Sequence, residues 1–142
     1  MLYQRLITIL WTTAFLGILQ SPDCLAQRKT AVDDEMYSVE MATLRNGKSV
    51  ELEIAIFPKE NVHCNLEYPW KVLIKESRGI VFSKERYTKN DATVFSEKQV
   101  VFKVPVSKFP KDGVATLELK FSLCNATQCF MKKVPIQYKG KQ

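Results

Sequence analysis

Histidine occurs once in the 142 residues, glycine only five times and cysteine four times. These shortages exclude several chemistries. With so little glycine there is no phosphate-cradling Gly-rich loop. The lone His63 and the absence of two C-x-x-C motifs leave no zinc site of ordinary spacing, and there is no serine-triad signature. Beyond residue 26 no run is long and apolar enough to cross a membrane, and no stretch keeps a helical period. There is no internal repeat or low-complexity tract. The net charge is +6, but the lysines are spread along the chain between apolar residues rather than clustered. A nucleic-acid groove needs clustered basic residues with exposed aromatics. The charge therefore supports no more than weak attraction to acidic surfaces.

What is present begins with an export signal. Arg5 precedes an uncharged, mostly apolar run over residues 6–19. The run breaks at Ser21-Pro22-Asp23 and is followed by Cys24-Leu25-Ala26, small at its first and third places. That is the layout of a cleavable secretory signal over residues 1–26. The competing reading, an uncleaved membrane anchor, is disfavoured because a span needs about 20 apolar residues. Cleavage after Ala26 removes Cys24 and sends the rest to the periplasm or the extracellular space, with no stable membrane insertion. The expected organisation is a flexible leader over residues 27–35 and one domain over residues 36–142, a usual length for a single core.

Within that domain short apolar–polar alternations are separated by turn signals. Val50, Leu52, Ile54 and Ile56 alternate with Ser49, Glu51, Glu53 and Ala55 after an Asn46-Gly47 turn. Trp70, Val72 and Ile74 form a second apolar face, and Val100, Phe102, Val104 and Val106 a third. Residues 82–96 read as polar and irregular, with Phe82, Tyr87 and Phe95 embedded. This pattern predicts an all-β, immunoglobulin-like antiparallel sandwich of about seven strands. Its expected core includes Leu52, Ile54, Trp70, Val72, Phe102, Val104, Leu117, Leu119 and Val134.

The sharpest local feature is Cys124-Asn125-Ala126-Thr127-Gln128-Cys129. Ala115, Leu117, Leu119, Phe121 and Leu123 share one strand face. Phe130, Val134, Ile136 and Tyr138 share a face of the returning strand. Placing Cys124 opposite Cys129 aligns these faces, with a single misfit of Phe121 against Lys132. Opposed residues in an antiparallel pair lie about 4.5–5.5 Å apart, within the short end of the disulfide range. Both cysteines then fall on the polar face at a hairpin tip, where a bond is accessible and adds little chain entropy. Lys132 and Lys133 follow closely and are placed to favour a thiolate. A plain structural hairpin disulfide is equally consistent with these residues, since exported proteins commonly hold such bonds. Cys64 is left as an unpaired, buried thiol.

Residues 121–129 resemble the cysteine hairpin of the periplasmic N-terminal domain of DsbD, a family of thiol:disulfide interchange proteins. The likeness extends over residues 37–138. It includes His63-Cys64-Asn65 followed by Tyr68-Pro69-Trp70, and Phe102-Lys103-Val104-Pro105-Val106. Phe130-Met131-Lys132 stand where the family usually carries prolines. The resemblance implies an immunoglobulin-like fold and a redox-active pair, Cys124 and Cys129. It implies a thioredoxin-like or membrane electron-transfer protein as partner, and no cofactor. It also implies a cap loop, whose counterpart is residues 82–96 with Tyr87 as the shielding aromatic.

Two functions follow. The first is a thiol:disulfide interchange module acting as an oxidoreductase component. The second is a non-catalytic immunoglobulin-like binding module with a structural disulfide. A soft-metal site from His63, Cys64 and Met131 is a weaker third, because the ligands are loosely spaced. His63 cannot serve Cys64 as a base, because neighbours on an extended segment point to opposite faces.

Overall fold

A computed structural model describes residues 27–140. The expected signal peptide, residues 1–26, lies outside the described residues. Within them the chain forms eleven strands, one 3-10 turn and no α-helix. The strands are β1 (Lys29–Asp33), β2 (Tyr37–Asn46), β3 (Ser49–Pro58), β4 (His63–Cys64), β5 (Lys71–Arg78), β6 (Val81–Phe82), β7 (Arg86–Thr88), β8 (Ala92–Ser96), β9 (Gln99–Lys108), β10 (Val114–Cys124) and β11 (Cys129–Lys139). One sheet has the order β1-β2-β3-β9-β6, with β8 also paired to β9. The other has the order β11-β10-β5-β7, with β4 paired to β10. All pairings are antiparallel.

Lettering β2, β3, β5, β8, β9, β10 and β11 as A to G gives A-B-E-D against G-F-C. That is the strand order of an immunoglobulin-like sandwich. The fold class read from the alternation is therefore the fold. The cause is the period of two: each sheet has one face that must leave water, and the two faces bury each other. The nine core residues expected from the sequence are all buried. Gly47, at φ +58°, turns β2 into β3 in the left-handed region that glycine adopts without penalty.

The Phe121–Lys132 misfit is accommodated rather than avoided. The two residues are register partners as expected. Phe121 is fully buried, stacked on Trp70 with ring centroids 5.3 Å apart and edge-on to Tyr37 at 5.1 Å. Lys132 is half-buried, its Nζ 5.6 Å from the centre of the Tyr37 ring. Edge strand β11 also carries Lys133, Pro135 and Lys139.

Two expectations are corrected. The stretch expected to be a flexible leader contains β1, which pairs with β2. Ion pairs between Arg28 and Glu53, and between Lys59 and Asp33, flank it, and Val32 packs against the core. An edge strand that turns only Val32 to the core needs no apolar alternation, so its composition resembles a leader. Residues 82–96 are not an irregular loop: they hold β7, the 3-10 turn and β8. Asp91 organises this stretch by accepting the Thr88 backbone N–H at 2.8 Å.

Because Phe121 joins both sheets, Phe121→Ala is expected to cost about 3–5 kcal/mol of stability. Lys132→Ala is expected to cost under about 1 kcal/mol. Chemical denaturation of the oxidised protein checks both, and a Phe121→Ala loss no larger than that of Lys132→Ala contradicts the role of Phe121 in joining the sheets.

Candidate functional site

The hairpin register is the one the sequence dictates. Leu117 faces Ile136, Leu119 faces Val134, Leu123 faces Phe130 and Cys124 faces Cys129. Cys124 and Cys129 are disulfide-bonded, with Cα atoms 4.0 Å apart. The loop between them is held by one side chain. Asn125 Oδ1 accepts the backbone N–H groups of Thr127 and Gln128, each at 2.9 Å, and the Thr127 hydroxyl at 3.0 Å. The Asn125 N–H donates back to the Gln128 carbonyl at 2.9 Å. Asparagine closes such loops because its short amide reaches backbone donors two and three residues on. Cys129 is thereby delivered opposite Cys124 by the loop itself.

The two cysteines are not equally open, which corrects the expectation that both lie free on the polar face. Cys129 is exposed, whereas Cys124 is only 7% exposed. The difference arises at the end of β10, where Phe121, Ser122, Leu123 and Cys124 are buried in succession. There β10 exchanges its neighbour. Along most of its length β5 lies beside it, but at the tip the two-residue strand β4 takes that place. Leu123 pairs with Cys64, and Cys124 pairs with His63. The Asn65 N–H donates to the Ser122 carbonyl at 2.9 Å, and the Trp70 indole N–H donates to the Asn65 carbonyl at 2.7 Å. The segment is thus fastened to β10 at one end and to the core at the other.

Opposed residues share a face, so Cys64 joins Leu123 in the core while His63 shares the outer face with the disulfide. Cys64 is free and buried. Burial first, and then the negative charge of Glu97, push its thiol up to about 12. It faces away from Cys124, and no exchange between the two is possible without turning β4 over. Sequence alone places His63 on an extended segment beside Cys64 and does not bring it to the disulfide. Two residues carry no periodicity, so the only available signal was its offset by one from a cysteine destined for the core.

Other expected contributors are elsewhere. Tyr87 is not a shield for the pair. It is a core residue on β7, paired with Val72, which β5 sets opposite Leu119. That level is five residues from Cys124 along β10, about 17 Å at strand rise. Burial pushes its phenol up, and its oxygen accepts the Lys84 N–H at 3.2 Å. Lys133 is drawn to Glu118 at 3.4 Å, and Lys132 is over Tyr37. Neither lysine is committed to the sulfurs. Among the described residues no group of three or more His, Cys, Asp or Glu is placed to hold a metal ion.

No family model matches the chain, and no curated protein matches it. Among solved structures the chain is similar to the GAE domain of yeast GGA1, at 12% identity and a TM-score of 0.46. That likeness covers 79% of this chain and 99% of that one.

Cys64 is expected to resist alkylation in the folded, oxidised protein at mildly alkaline pH and to react fully in guanidinium chloride. Mass spectrometry of the labelled protein checks this. Native labelling as fast as that of an unstructured thiol peptide would place Cys64 outside the core.

Proposed function

We propose that this chain is an exported thiol:disulfide interchange module, with Cys124 and Cys129 as its redox pair and a thioredoxin-like or membrane electron-transfer protein as its partner. The observation that carries this reading is the asymmetry of the disulfide. One half of the bond, Cys129, is exposed at the hairpin tip, while the other, Cys124, is sheltered between two strands. A bond with one open sulfur can be attacked from one direction only, which makes the exchange ordered. The resemblance of residues 121–129 to the DsbD hairpin supports the same pair.

The step follows from exposure. A partner thiolate attacks Cys129 Sγ. The Cys124–Cys129 bond breaks, and its electron pair leaves on Cys124 Sγ. The product is a mixed disulfide between the partner and Cys129. The partner's second thiolate then attacks its own sulfur in that bond and releases Cys129 as a thiolate. Two electrons and two protons pass from the partner dithiol to this domain. The reverse sequence returns them to a substrate disulfide, with Cys124 as the resolving thiol. Cys64, buried and held protonated, stays outside the cycle.

A Cys64→Ala background isolates the pair. In it, Cys124→Ser is expected to accumulate a covalent complex with an oxidised thioredoxin-like protein, and Cys129→Ser at least about tenfold less, because its remaining sulfur is sheltered. Equal trapping by both variants contradicts the ordered step. The reduction potential decides between the two functions. A value below about −300 mV, with no reduction by thioredoxin, marks a structural bond and a binding module instead.

A further inference from the structure

The only histidine of the chain stands beside the sheltered sulfur. His63 on β4 and Cys124 on β10 are register partners, and Cys129 on β11 is the register partner on the other side of Cys124. The three residues form a row across the outer face of one sheet. Cβ atoms of directly opposed residues lie about 4.5–5.5 Å apart, so an imidazole on one reaches a sulfur on the other. His63 is exposed and contributes nothing to the core. Among the described residues no hydrogen bond or ion pair holds its ring. A two-residue strand that spends one of its positions on an uncommitted imidazole, next to the buried half of a disulfide, has an evident chemical use.

We propose that His63 is the acid–base partner of Cys124. The proposal rests on the exchange reading above, since it concerns the sulfur that leaves in that step. When a partner thiolate attacks Cys129 Sγ, the electron pair of the broken bond appears on Cys124 Sγ. That sulfur is poorly hydrated, and a bare thiolate there is disfavoured. The His63 imidazolium beside it holds the charge as an ion pair and hands over its proton. In reverse, neutral His63 takes the proton of the Cys124 thiol as Cys124 attacks the mixed disulfide. Histidine suits both directions because imidazole changes charge between about pH 5 and 8.

The other charged groups near β4 do not replace it. Against β4 pack the end of β10, with Cys124 and Ser122, and the turn between β8 and β9. That turn carries Glu97 and Lys98, and its Glu97 carbonyl accepts the Cys64 N–H at 2.9 Å. On its own segment lie Glu60 and Glu67, and Lys59, which bridges to Asp33. Lys132 and Lys133 are engaged with Tyr37 and Glu118. His63 is the imidazole that the register sets opposite Cys124.

The test reads ionisation directly. In a Cys129→Ser protein the thiolate absorbance of Cys124 is titrated with and without His63→Gln. Both proteins also carry Cys64→Ala, so that Cys64 adds no thiolate signal. The expected result is a Cys124 midpoint about one pH unit higher without His63, a roughly tenfold loss of thiolate at neutral pH. Glu97→Gln should leave the His63-dependent difference in place. A second arm needs no change at His63. Its imidazole resonances in the otherwise native protein should titrate at higher pH when the pair is reduced than when it is oxidised, and in Cys124→Ser they should stay at the position of the oxidised protein. Identical Cys124 midpoints, or a His63 titration indifferent to the redox state, overturns the proposal. If the coupling is present but thioredoxin-like proteins neither reduce nor are trapped by the pair, the coupling stands and the exchange reading falls.

Discussion

Strand β10 is paired on both sides along almost its whole length, and its register fixes where Cys64, Cys124 and Cys129 go. On one side β11 matches it from Val114 to Cys124. On the other, β5 matches its first part and β4 its tip. A strand confined in this way cannot slip by one residue, because the slip would carry Leu117, Leu119, Phe121 and Leu123 from the core to the surface. Burying one large apolar side chain is worth about 1.5–3 kcal/mol, so a slip of four such residues exceeds any gain available on the outer face. The positions of Cys124, Cys129, Cys64 and His63 are therefore consequences of hydrophobic alternation several residues away from them.

Besides a register shift against β5 between Thr116 and Leu117, the frame breaks where β5 hands over to β4, and an aromatic side chain manages that break. Trp70 closes the excursion between the two strands. Its ring is buried on Phe121 of β10, and its indole N–H returns to the Asn65 carbonyl just after β4. The same side chain thus anchors the loop to the core and fastens the end of β4. Tryptophan serves here because it combines a large apolar face with a donor at its edge. Loss of that donor would leave the Asn65 carbonyl to water and loosen the strand that shelters Cys124.

The sequence shows plainly whatever rests on a repeated period. The alternations of β3, β9, β10 and β11, the Asn46-Gly47 turn and the pairing of Cys124 with Cys129 are all read from spacing. So is the Phe121–Lys132 misfit, although its resolution in an aromatic cluster with a lysine over Tyr37 needs three dimensions. What was illegible has no period to read. β1 is an edge strand with a single core-facing residue, Val32, and β4 is two residues long. The burial of Cys124 comes from that short strand arriving from sixty residues upstream. Tyr87 is ambiguous in sequence for a related reason. A lone aromatic among polar neighbours reads equally well as a cap or as the one inward residue of a three-residue strand, and only the pairing with Val72 separates the two.

Edge strand β11 has a consequence beyond the hairpin. It ends the sheet that carries the sulfurs, and its outer rim is interrupted by Pro135, which offers no N–H, and lined by Lys132, Lys133 and Lys139. A second sheet cannot zip onto such a rim, since the donor row is broken and the approaching lysines repel one another. Strand addition along β11 is thereby disfavoured, and the Asn125–Gln128 loop and Cys129 stand at the end of that guarded strand.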